Sequence, residues 1–301
     1  MDHRPRARAR ATTAALAVVF MPAIAAAHGV AGDRFFPATL TIDDPAVADE
    51  LSLPTVGYLD GDEADTTISG EYSKRLTRSF GVSIGESWIH AKALGAPAAS
   101  GFDDLETTAK WQAITSASHE AIVSAGLSVE WSGTGARGVG AERHTTFTPT
   151  LFFGKGAGDL PPDFGWIRPF ALTGVVGYAI PSRRRDPGEP DANPRVLQWG
   201  LSLQYSLPYL QAQVRDLGLP QPLAGLTPII EASFESPLTG PERRTTGTIN
   251  PGLIWAGRRL QVGAEALLPV NRQSGRGVGG VIQLHFYLDD ILPRSLGKPL
   301  W

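Results

Sequence analysis

Between residues 121 and 132 the chain alternates strictly: Val123, Ala125, Leu127, Val129 and Trp131 on one side, Ser124, Gly126, Ser128, Glu130 and Ser132 on the other. The same period of two runs through Leu197-Gln198-Trp199-Gly200-Leu201-Ser202-Leu203-Gln204-Tyr205-Ser206-Leu207. It recurs where Leu260, Val262, Ala264, Ala266 and Leu268 face Gln261, Gly263 and Glu265, and where Val278, Gly280, Ile282, Leu284, Phe286 and Leu288 face Gln283, His285, Tyr287 and Asp289. Successive strand side chains point to opposite faces, so this pattern is that of strands with one apolar face. It predicts strands at 34–42, 66–76, 79–90, 103–114, 121–132, 144–155, 164–180, 196–207, 226–236, 245–256, 259–269 and 277–288. Segments of roughly ten residues with this alternation are the signature of an all-β, antiparallel transmembrane barrel, here with twelve strands and ten as the fallback.

A soluble sandwich also alternates, because one face of each sheet is buried. What separates the two is the polar face, which here is filled by Ser, Gly, Thr and Gln more often than by Lys or Arg, as a wet but crowded lumen requires. Linkers after residues 76, 114 and 256 are short, and those after 42, 90, 132 and 180 are long. Periplasmic turns are the short ones in outer-membrane barrels, which puts both chain ends in the periplasm. Trp88, Trp131 and Trp199 then fall near the outer rim and Trp111, Trp166 and Trp255 near the inner rim, all on the apolar parity, as two aromatic girdles would. Glu86, Lys74 and Arg168 share that parity but lie towards strand ends, where a charge costs roughly 0–1 kcal/mol. The linker 208–225 is too long for a periplasmic turn and has the makings of a short amphipathic helix with Tyr209, Leu210, Val214 and Leu217.

The first residues change the picture from fold to compartment. Arg4, Arg6, Arg8 and Arg10 precede an apolar run, Ala14-Ala15-Leu16-Ala17-Val18-Val19-Phe20-Met21, and Ala25-Ala26-Ala27 offers small residues for cleavage. That is the layout of a secretory signal, 1–27, and its apolar run is too short to span a bilayer. Residues 28–65 form an N-terminal segment holding a first strand plus an acidic loop or plug, and 66–301 the barrel. No later run of about 18 apolar residues exists, which excludes a helical inner-membrane bundle. The 301 residues carry a net charge of −3, which gives no reason to expect nucleic acid. The absence of cysteine removes disulfides, thiol nucleophiles and thiolate metal sites. With 34 Gly and 24 Pro, turns are favoured over long helices.

Candidate chemistry is confined to the lumen parity: Glu71, Arg75, Glu106, Lys110, Glu130, Glu231, Glu235, Glu265, His285 and Asp289. Acids outnumber bases, so a pore would favour cations. A barrel of this size lies between filled eight-stranded and open sixteen-stranded ones, and both an open and a filled interior are compatible with it. Asp43, Asp44, Asp49, Glu50, Asp60, Asp62, Glu63 and Asp65 form an acidic stretch that reads first as a solvated loop, with a plug or a cation site between lipopolysaccharides as alternatives. Arg183-Arg184-Arg185 could meet lipid phosphate or be neutralised by Asp186, Glu189 and Asp191. A mature amino-terminal His28 would suit copper, but His90, His119, His144 and His285 lack ligand spacing, so no metal or cofactor is expected. No G-x-S-x-G or HExxH motif is present, and Gly135-Ala136-Arg137-Gly138-Val139-Gly140 precedes a strand rather than joining strand to helix. The sequence therefore predicts a protein that is not an enzyme.

Gly279-Gly280-Val281-Ile282-Gln283-Leu284-His285-Phe286 resembles the terminal strand read by the barrel-assembly machinery. The whole layout is similar to the proteobacterial outer-membrane transporter-like barrels related to the phenol-degradation MetA-pathway family. That resemblance implies passive uptake of small, often hydrophobic, molecules and carries no site residues with it. The expected location is the outer membrane, and the expected partners are its lipid, lipopolysaccharide, the assembly machinery and a small-molecule substrate. A closed barrel that binds partners or maintains the envelope is the alternative, and a lipid-modifying enzyme a further one.

Overall fold

The computed structural model describes residues 29–60, 63–93, 97–188, 190–240 and 243–301. The signal segment and His28 lie outside them. A two-residue-stranded hairpin, β1 (Val30–Ala31) and β2 (Arg34–Phe35), precedes the barrel. The wall comprises β3 (Glu50–Asp60), β4 (Glu63–Arg75), β5 (Phe80–Ala93), β7 (Leu105–Ser116), β8 (Ala121–Trp131), β9 (Thr146–Gly156), β10 (Phe170–Pro181), β11 (Val196–Tyr205), β12 (Leu226–Pro237), β13 (Thr246–Ala256), β14 (Leu260–Pro269) and β15 (Gly279–Tyr287). Each is antiparallel to its sequence neighbour, and β15 pairs with β3, which closes the ring at twelve strands and rules out ten. A short piece, β6 (Ala99–Phe102), extends β7 along β5 beyond a break at Asp103 and Asp104. Closure leaves none of the twelve ring strands with an unpaired edge, the condition for crossing a bilayer with strands.

Alternation decides which face meets the outside. On β11, Leu201 and Leu203 are exposed, whereas Gly200, Ser202 and Gln204 are buried. On β15, Ile282 is exposed and Val281, Gln283, His285 and Tyr287 are buried. Leu127, Leu151, Ile230 and Leu253 continue this apolar outer surface around the ring. Exposed aliphatic side chains over buried glutamine and serine invert a soluble protein, and a lipid surround accounts for that inversion.

The strand expected at 34–42 is not part of the wall. Residues 36–48 instead run inside the barrel, and the first wall strand is β3, so the barrel begins at Glu50 rather than at 66. Phe36, Ala38, Leu40 and Ile42 do alternate, but their apolar side rests on wall glycines. A Cβ at Gly263 would lie 2.6 Å from Leu40 Cδ1, one at Gly81 2.8 Å from Val47 Cγ1, and one at Gly154 3.0 Å from Pro45 Cγ. At Gly200 it would collide with Ile42 Cγ2. Phe36 joins Ala31, Ile122 and Ala171 in a small apolar core at the end of the barrel where Gly29 and the C-terminal residues lie, here called the base. Filling one of these seats expels the segment: Gly263→Leu should destabilise its docking by ~1–3 kcal/mol, as overpacking does. Because the chain has no cysteine, Ala46→Cys reports this directly, and its maleimide labelling should accelerate in the Gly263→Leu background.

Long linkers at the base have their own explanation. Arg34 is fully buried; its Nε lies 3.0 Å from Glu120 Oε2, its two terminal nitrogens donate to the carbonyls of Pro169 and Arg168, and its guanidinium stacks 3.7 Å above the Tyr209 ring. The N-terminal hairpin thereby clamps the 157–169 linker and a short helical stretch, Leu207–Tyr209 continued by Leu210–Val214, capped by Ser206. Tyr209 and Leu210 are buried there and Leu217 is exposed.

Candidate functional site: an acidic path beside a lumen segment

The lumen segment is held by side chains of β7, β8, β12, β13 and β14. Glu231 accepts from Leu40 N, Thr41 N, Thr41 Oγ1 and Ile42 N at 2.5–3.3 Å. Asn250 donates to Thr41 Oγ1, Gln261 to the Ala38 carbonyl and Ser124 to the Pro45 carbonyl. Lys110 Nζ lies 2.7 Å from Asp43 and donates to the Asp44 carbonyl, and Val47 N donates to Gln112. At the base Asp49, fully buried, lies 2.7 Å from Arg75 Nε and 2.6 Å from Lys74 Nζ. Polar residues on the inner face thus satisfy the backbone of an irregular segment, as such a segment requires at membrane depth.

The segment does not fill the lumen. A cavity of about 380 Å³ remains between it and the wall made by β15, β3, β4, β5, β7 and β8. It extends along the barrel from Ser73 and Lys74 near the base to Glu106 and Glu130 near the opposite end. Its lining holds Asp43, Asp44, Glu50, Glu71, Glu86, Asp103, Asp104, Glu106 and Glu130 against Lys74, Lys110 and His285. Ser52 Oγ shares a 2.7 Å hydrogen bond with His285 Nδ1, and His285 Nε2 lies 3.1 Å from Glu50 Oε2, an array that fixes the β3–β15 wall.

Of the residues singled out from sequence, the fold brings Glu71, Glu106, Lys110, Glu130 and His285 together in this cavity. Arg75 belongs to the base, between Asp49 and Asp289, and Glu231 lies under the lumen segment. Glu265 is buried on β14 outside the cavity lining, and Glu235 is exposed towards the far rim, within 3.4 Å of Gln198. Asp43, Asp44, Glu50, Ser52, Asp103 and Asp104 are added by the structure; only the acidity of 43–65 pointed to some of them. The tryptophans split by end: Trp88, Trp131 and Trp199 lie towards the rim opposite the base, Trp111 and Trp255 towards the base, and Trp166 in the 157–169 linker rather than on β10, which starts at Phe170. Trp131 and Trp199 donate to Thr107 and Ser236, and Trp199 stacks on Phe234 at 4.3 Å. Lys74, awkward on a lipid face, turns to the buried Asp49, and Arg168 lies in the base linker before β10, where it donates to the Gly158 carbonyl. Glu86 sits beside the break at Asp103.

No family model matches the chain, and no curated protein matches it. Among solved structures it is similar to an outer membrane channel from Pseudomonas putida F1, at 12% identity and a TM-score of 0.61, over 84% of this chain and 99% of that one. The KdgM porin aligns at 12% identity and 0.48, and the NanC porin at 10% and 0.49, each over 78% of this chain and 98% of its own. At 12% identity the likeness to the Pseudomonas putida channel concerns the fold alone, a closed antiparallel barrel of the outer-membrane kind.

Proposed function

We propose that the chain is an exported outer-membrane barrel that passes small neutral or cationic solutes along the acidic path beside its lumen segment. The observation that carries this reading is the cavity, polar along the wall and running lengthwise, with carboxylates in excess. Carboxylate rings attract cations and repel anions, the more so where the surrounding protein lowers the dielectric. The hydrophobic cargo implied by the resemblance to the MetA-pathway barrels fits less well, since the apolar part of the lining comes mainly from the lumen segment, at Leu40, Ile42 and Val47. Outer-membrane lipid and lipopolysaccharide would surround the apolar face, and the assembly machinery would insert it.

Proteoliposomes of the purified chain should swell in choline chloride and sorbitol faster than in sodium gluconate. In planar bilayers the current should prefer cations. Replacing Glu71, Glu106 and Glu130 together by Gln should lower the cation-to-anion permeability ratio severalfold, and an unchanged ratio would remove the path from the account. A second reading, a closed barrel, is favoured by the many bonds that hold residues 36–48. It predicts no steady current from the intact chain.

A further inference from the structure

At the rim opposite the base, the linkers 132–145 and 182–195 meet, and three side chains converge. His144 Nδ1 lies 2.9 Å from Asp186 Oδ2 and 3.5 Å from Glu142 Oε2. The imidazole and the Asp186 carboxylate are both over nine-tenths buried, and Glu142 is half exposed. Asp186 Oδ1 is buried with no hydrogen-bond partner among the described residues. Leaving such an atom bare is costly, and the more so for a charged group. We propose that Glu142, His144 and Asp186 bind one divalent transition-metal ion, such as Zn²⁺, which ties the two linkers together.

Donor atoms around a tetrahedral zinc, each about 2.0–2.1 Å from it, stand about 3.3 Å from one another, and the separations found bracket that value. One imidazole and two carboxylates favour a first-row transition ion over Ca²⁺ or Mg²⁺, which take oxygen donors alone. The site rests on an ordered backbone. Asp104 accepts from Glu142 N at 2.7 Å and from Gly135 N at 2.9 Å, which fixes the first linker. Ser182 N donates to the Thr145 carbonyl and Arg143 to the Pro187 carbonyl, which join it to the second. Charge balance points the same way. Two carboxylates, Asp186 Oδ2 and Glu142 Oε2, stand 2.9 and 3.5 Å from the one imidazole nitrogen. The basic run Arg183-Arg184-Arg185 is exposed to solvent. A dication between the carboxylates relieves their repulsion, and binding through both Asp186 oxygens gives the bare Oδ1 a partner as well. Sequence spacing hides the site, because Asp186 lies 42 residues beyond His144.

The test uses the full chain in detergent, stripped with a chelator and titrated with Zn²⁺ by calorimetry. One ion per chain should bind, and His144→Gln and Glu142→Gln should each weaken binding roughly tenfold or more, the scale on which loss of a metal contact acts. His119→Gln, at an exposed histidine that lies 3.3 Å from Asp159, should bind as the parent does. Gel mobility before and after boiling checks that every variant is folded, and the half-exposed Glu142 makes its variant the least disruptive. Binding that survives both His144→Gln and Glu142→Gln, or no saturable binding by the parent chain, would overturn the assignment.

Discussion

Excising residues 36–48 and joining Phe35 to Asp49 through a short Gly-Ser linker should raise single-channel conductance severalfold while leaving the barrel folded. Both ends of the segment enter from the base: the Phe35 ring meets Tyr287 edge-on at 6.2 Å, and the Asp49 carbonyl accepts from Leu288 N. A short linker therefore spans the cut without crossing the lumen. The wall does not depend on the segment, because the ladders between its twelve strands close without it. What is lost is the material that narrows the interior of a barrel intermediate between filled and open sizes. Glu231 and Lys110, which hold Thr41 and Asp43, would then face water in a wider channel. An unchanged conductance would mean that the narrowest point lies elsewhere in the barrel.

The largest loss of stability is expected from Asp49→Ala. Asp49 is fully buried and accepts from Arg75 N, Arg75 Nε and Lys74 Nζ at 2.6–2.9 Å. Lys74 goes on to the carbonyls of Leu296 and Lys298, and Trp301 N donates to the Leu76 carbonyl, so one carboxylate organises the base end of β4, the lumen segment and the C-terminal tail. Removing one partner of a buried pair leaves an uncompensated charge and costs about 3–5 kcal/mol. Urea unfolding of the reconstituted protein should show a loss of that size, with Asp49→Asn losing less because the amide oxygen still accepts. A loss near that of an exposed control, Asp159→Ala, would mean that the base is held by other contacts.

How much of this was legible follows from where the alternation is unbroken. Strands β8, β11, β14 and β15 keep one parity throughout, and their faces could be read directly from Leu127, Leu203, Val262 and Ile282 against Ser124, Ser202, Gln261 and Gln283. The first wall strand was hidden because its register shifts between Ser52 and Thr55. Leu53 is exposed on one parity and Val56 and Tyr58 on the other, so no single period spans it. The lumen segment was misread for the opposite reason: 34–42 alternates well, but its apolar side meets wall glycines rather than lipid. Gly200 and Gly263 read from sequence as small residues of the polar face, and only the joint position of Gly81, Gly154, Gly200 and Gly263 around the ring shows that they form a seat. Short linkers do gather at one end of the barrel, the base, at 76–79, 117–120 and 257–259. That pattern breaks at 157–169 and 206–225, where base linkers are long because Arg34 and the helical stretch pack on them, and between β3 and β4, where the linker opposite the base is short. Lumen carboxylates could be assigned by parity, whereas their partners on the lumen segment could not, because no period relates Asp43 to Lys110 or Glu231 to Thr41.

The most direct test is the mobility of the detergent-extracted protein on a gel, unheated and then boiled, after fractionation of the cell envelope. A closed membrane barrel predicts recovery in the outer-membrane fraction and a shift on boiling, because the ring unfolds only when heated. Release with the soluble periplasm and no shift would contradict the account, since the exposed leucines and isoleucines of the wall would then have no lipid to face.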